Sequence, residues 1–177
     1  MRETRWFTLG MALVAASVLL CAASAAEEQE KPYEVGDVIQ EFTLPDVEGK
    51  SVKLSDFRGK VIFIDLFASW CPHCVTEVPR VKSDVWGKYR ERGLQVLSIG
   101  VRSRKDPVKE AKGHAERHKI PYPVLVNADN SLYRRFNGRS VPTHVLIGRD
   151  GKLLYVAPGK SLDQMIKVLE EALDAAP

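Results

Sequence analysis

The chain has 177 residues, 45% of them hydrophobic, and its 26 Lys and Arg against 23 Asp and Glu leave a net charge of +3. So mild a balance argues against a dedicated nucleic-acid binder, and the length suits one domain with an addition rather than two domains.

The addition lies at the N-terminus. Met1 to Arg5 is a short positive region, Phe7 to Leu20 is almost wholly apolar, and Ala23-Ser24-Ala25 offers small residues before the acidic run Glu27-Glu28-Gln29-Glu30. That order predicts a signal peptide over residues 1–25 and an exported, periplasmic address. Left uncleaved, Phe7 to Ala26 would just reach the roughly 20 apolar residues a membrane anchor needs. Cys21 resembles a lipid-modified cysteine only in part, because Leu20 stands where a small residue belongs. Cleavage after Ala25 would leave Cys71 and Cys74 as the two cysteines of the mature chain.

Residues 26–37 read as a flexible lead-in, and 38–177 as the folded domain. Glu41 to Leu44 and Ser51 to Leu54 flank Pro45-Asp46-Val47-Glu48-Gly49, a hairpin signal. Val61 to Phe67 is continuously apolar except for Asp65, which suits a central strand buried on both faces. From Val75 the period changes: Val78, Val81, Val85 and Tyr89 predict an amphipathic helix to about Gly93, kinked at Pro79. Further on, a strand is predicted over Leu94 to Val101, a helix from Asp106-Pro107 to Lys119, a strand over Tyr122 to Val126 and a short helix over Ser131 to Phe136. Thr143 to Ile147 and Lys152 to Tyr155 form a second hairpin around Asp150-Gly151. Ser161 would cap a last helix with Leu162, Met165, Ile166, Leu169 and Leu173 on its buried side.

Trp70-Cys71-Pro72-His73-Cys74 carries the chemistry. At a helix start, free amides and the macrodipole favour the Cys71 thiolate. Pro72 fits the first turn, and a protonated His73 would favour the thiolate further. Cys74, one turn further in, should be more buried and act as the resolving thiol. A zinc site would need a second ligand pair, and haem attachment would need His where Val75 stands.

These features, with Thr76-Glu77-Val78-Pro79 and Ser140-Val141-Pro142-Thr143, resemble the thioredoxin superfamily. More narrowly they resemble the exported TlpA/ResA-like thiol:disulfide oxidoreductases, a redoxin/AhpC-TSA-like domain. The resemblance implies an α/β thioredoxin-like fold, a central mixed sheet flanked by helices, with an added N-terminal β-hairpin. It implies exchange with protein clients, a membrane or periplasmic redox partner, no cofactor, and a role in cytochrome maturation. Pro142 matches the family's cis-proline, which would lay Val141's backbone beside the motif. Asp65, six residues before Cys71, matches a buried acid, although many relatives of this subfamily carry a neutral amide there. Glu77 matches a cleft carboxylate, with a solvated helical Glu as the plain alternative. The Pro-His dipeptide is shared with the strongly oxidising DsbA proteins, whereas the scaffold suggests a reductant.

Two other functions fit parts of the motif. A copper-binding chaperone would use both thiolates and a histidine such as His144; His114 and His118 instead read as a solvated helix face. A thiol peroxidase would want Thr or Ser three residues ahead of its cysteine, where Ala68 stands.

Overall fold

A computed structural model describes residues 31–159 and 162–175. The compact unit begins at Pro32. The proposed signal peptide and the Ser161 cap lie outside the described residues.

Two short strands, β1 (Thr43–Pro45) and β2 (Ser51–Lys53), make the expected hairpin, with Asp46 accepting from the Glu48 and Lys50 amides in the turn. The hairpin docks on a sheet edge through Val47 N–H to Val124 O at 3.1 Å. That sheet comprises β3 (Val61–Phe67), β4 (Leu94–Gly100), β5 (Val124–Val126), β6 (Thr143–Ile147) and β7 (Leu153–Pro158) in the order β5-β4-β3-β6-β7. β3, β4 and β5 run parallel, whereas β6 pairs antiparallel with β3 and β7 antiparallel with β6. Every residue of β3 is buried, as its apolar run requires of a strand covered on both faces.

Alternation along β3 assigns those faces. Ile62, Ile64 and Leu66 pack with Tyr33, Ile39, Leu54, Leu132 and Phe136. Val61 and Phe63 pack with Val81 and Val85 and with Met165 and Leu169 of the last helix, while Phe67 meets both cysteines. The lead-in ends against the first of these clusters, with Tyr33 N–H donating to Arg135 O at 2.8 Å and its ring 5.4 Å from Phe136.

Among the described residues, four α-helices flank the sheet: α1 (Pro72–Arg80), α2 (Pro107–His118), α3 (Ser131–Arg135) and α4 (Leu162–Asp174). Asp106 caps α2 by accepting from Lys109 N–H at 3.0 Å. The first helix departs from expectation after Pro79. Without an amide hydrogen, Pro79 cannot bond back one turn, and the chain widens into a π-helical stretch, Val81–Gly87. A short 3₁₀ turn then ends at Gly93, whose φ of 92° suits glycine. Among the described residues, no helix is long and apolar enough to cross a membrane.

Candidate active site

β3 delivers the chain to Cys71, which caps α1. Its backbone is extended (φ −85°, ψ 115°), its N–H donates to Ala68 O at 3.0 Å, and its sulfur accepts the Cys74 N–H at 3.4 Å. Pro72 takes the first helical position, where a missing donor costs nothing. The Cys71 thiol donates to the Val141 carbonyl at 3.4 Å, and the Val141–Pro142 bond is cis. The motif and the distant loop therefore meet.

Both thiols are free. Cys74 was expected to be the more buried, yet Cys71 is 5% and Cys74 4% exposed. The difference vanishes because Val47, Trp70 and Val141 pack against the cluster that holds both sulfurs. Burial pushes the Cys74 thiol well up, its hydrogen bond with Cys71 and the charge of Asp65 add to that, and the Ala68 backbone opposes it. His73 and Pro72 are exposed on the first turn. Trp70 is half-buried, its indole N–H donating to Arg102 O at 2.9 Å and its ring lying 4.1 Å beneath the Arg104 guanidinium.

Asp65 lies on the same β3 face as Phe63 and Phe67, turned toward α1. Burial pushes its pKa up to about 6; His144 pulls it down, Glu77 adds to the rise, and the Ser98 hydroxyl, donating at 3.3 Å, pulls it down. Glu77 is not a solvated surface residue. Its side chain is 14% exposed, and one carboxylate oxygen lies 3.1 Å from Nε2 of the fully buried His144.

The solvated reading of His114 and His118 fails for His114. That ring is 1% exposed and stacks on Phe67 at 4.3 Å, with the His118 ring 4.6 Å away. The reason is position: His114 falls one turn from Ala111 on the face of α2 that meets the sheet. Burial lowers its pKa to about 4, helped by His118 and Arg117. Among the described residues, no group of three or more His, Cys, Asp or Glu is arranged to hold a metal ion. His144, the third ligand of the copper alternative, is bonded to Glu77.

A sequence profile described as the AhpC/TSA family matches residues 35–156, well over half of the chain. The chain belongs to the AhpC/TSA family.

Relatives of this AhpC/TSA-family chain include the thiol-disulfide oxidoreductase ResA of Bacillus thuringiensis subsp. konkukian (strain 97-27). That protein is 25% identical over 139 residues, covering 78% of each chain. ResA of Geobacillus kaustophilus (strain HTA426) is 28% identical over 125 residues, 71% of this chain and 70% of its own. Among solved structures, a thiol:disulfide interchange protein DsbE from Chlorobium tepidum superposes with a TM-score of 0.70 at 28% identity. It covers 79% of this chain and 98% of its own. A Neisseria meningitidis thioredoxin gives 0.65 at 29% identity, covering 81% and 95%.

In this AhpC/TSA-family chain the fold brings Cys71, Cys74, Asp65, Glu77, Val141 and Pro142 to one end of β3 and α1. Sequence reasoning missed the polar groups behind them. Ser98, from β4, holds Asp65. Glu110 ties the motif turn to α2, accepting from Ser69 Oγ at 2.9 Å and from the Lys105 N–H at 2.9 Å. A Ser or a helical Glu has no local signal that marks it as such a partner. His144 did carry a signal: alternation from Pro142 could be weighed, but not the strand register that decides its neighbour.

Proposed function

We propose that this thiol–disulfide oxidoreductase exchanges disulfides with protein clients outside the cytosol, with Cys71 as nucleophile and Cys74 as resolving thiol. One observation carries the reading: two free, buried sulfurs share a helix start, with the first against the Val141 carbonyl. Written as a reductant, the Cys71 thiolate attacks a client disulfide, forming a mixed disulfide and releasing one client thiolate. Cys74 then loses its proton to Asp65 and attacks the Cys71 sulfur, closing the Cys71–Cys74 disulfide and releasing the second client thiolate. Two electrons pass to the client, and the reverse sequence makes an oxidant. An acid with a pKa of about 6 suits a group that takes and returns a proton near neutral pH. Val141's backbone supports pairing with an extended client segment, and Trp70, Pro72 and His73 supply the rim around the nucleophile.

Export rests on the signal-like residues 1–25 and on the interchange activity named for the relatives. Cytochrome maturation, with a membrane or periplasmic partner resetting the pair, is the client role that fits the scaffold. The peroxidase alternative is weakened by buried Ala68, which offers no hydroxyl beside Cys71. An insulin-reduction assay tests the activity: wild type accelerates turnover, and Cys71→Ser abolishes it. A Cys71→Ser variant with wild-type turnover overturns the proposal. The reduction potential of the couple then gives direction, about −270 mV for a thioredoxin-like reductant and about −120 mV for a DsbA-like oxidant.

A further inference from the structure

β3 and β6 are antiparallel, and their register sets Asp65 directly opposite His144. Directly opposed residues project to the same face with their Cβ atoms about 5 Å apart. Here that face lies under α1, where Phe63 and Leu146 also pack. One turn beyond Cys74, α1 brings Glu77 to His144 Nε2 at 3.1 Å. Phe63 holds the imidazole edge-on at 5.5 Å, and the ring has no exposure. His144 thus stands between a buried acid beneath Cys74 and a carboxylate that keeps 14% of its surface in solvent.

We propose that His144 is a positioning and proton-relay residue of the resolving step, carrying the proton that Asp65 takes from Cys74 onward to Glu77 and water. The inference rests on the exchange reading above and deepens it. In the balanced step the Cys74 S–H bond breaks and its proton goes to Asp65. The S–S bond to Cys71 forms, and the bond from Cys71 to the client breaks with the electron pair leaving on the client sulfur. One imidazole nitrogen then accepts the Asp65 proton while the other yields one to Glu77, an exchange that the two ring nitrogens of histidine allow. Among the described residues, the other groups facing Asp65 offer no such exit. Ser98 on β4 is 1% exposed, and Tyr122 before β5 is held above its ordinary range by burial and by Asp65. α4 adds apolar Leu162 and Met165 to this face, and Arg80, further along α1, is paired with Asp84 and Asp163.

The test separates two rates. Stopped-flow mixing of the reduced protein with a disulfide-bonded fluorescent peptide resolves formation of the Cys71 mixed disulfide from its release by Cys74. Expected for His144→Phe is an about ten-fold fall in the release rate relative to formation at pH 7, with a flatter rise of release between pH 5 and 7. Glu77→Gln should slow release comparably and add little on the His144→Phe background. His144→Gln keeps a hydrogen-bonding side chain but cannot shuttle protons, and serves also where the Phe variant folds poorly. Wild-type release in His144→Gln, or equal slowing of both steps in either variant, overturns the relay. A wild-type protein that forms no mixed disulfide overturns the exchange reading and the relay with it; normal formation with unaltered release in the variants overturns the relay alone.

Discussion

Asp65→Asn should stabilise the protein at neutral pH by an amount that depends on pH in a calculable way. Asp65 has a native pKa of about 6 against 3.8 for an ordinary aspartate. The native state therefore binds the proton more tightly than the unfolded chain. The stability this contributes is complete below pH 4 and is lost as pH rises through 6. A gap of about two pH units at about 1.4 kcal/mol each makes the loss about 3 kcal/mol. Asn carries no charge at any pH, so the stability difference between variant and wild type should widen by about 2.5 kcal/mol from pH 4 to pH 7.5. His114 acts oppositely in the same window. Its pKa is lowered from 6.5 to about 4, so its contribution is complete above 6.5 and falls away toward pH 4, again by about 3 kcal/mol. The two nearly cancel, so the wild-type curve by itself is shallow and only the paired comparison isolates Asp65. Guanidinium chloride unfolding of the reduced proteins at half-unit pH steps provides the measurement. A difference that stays constant from pH 4 to 7.5 would refute the buried-acid argument.

Other changes test other parts of the site. His114→Phe keeps a ring against Phe67 and removes a buried Nδ1 that has no hydrogen-bond partner among the described residues; acid unfolding below pH 5 should shift in its favour by about 1–3 kcal/mol. Cys74→Ser should accumulate the mixed disulfide at Cys71, read by mass spectrometry as a stable client adduct. Gly138→Ala would put a Cβ 2.2 Å from the buried Tyr133 ring. Displacing that ring should lower stability by about 1–3 kcal/mol in a thermal melt.

Much of the domain could be read from local pattern. The apolar run of β3, the change of period after Cys71 and the glycine-bearing turns each place an element, because burial and backbone sterics act over a few residues. The first helix was harder: Pro79 signalled a disturbance, but a local pattern does not tell a simple kink from the π-helical stretch that follows, in which Val81 and Val85 stay buried. His114 was misread for a related reason. A polar residue on a basic helix gives no local sign that its neighbour in space is Phe67.

The sequence by itself determined that two thiols would stand at a helix start after a buried strand, since spacing, Pro72 and hydrophobic period specify that much. Tertiary structure alone decided which groups face those thiols. Val141 is 70 residues from Cys71 along the chain and hydrogen-bonded to it in space. Strand register, a property of pairing rather than of any one segment, sets Asp65 opposite His144 and so defines the electrostatic surroundings of the pair.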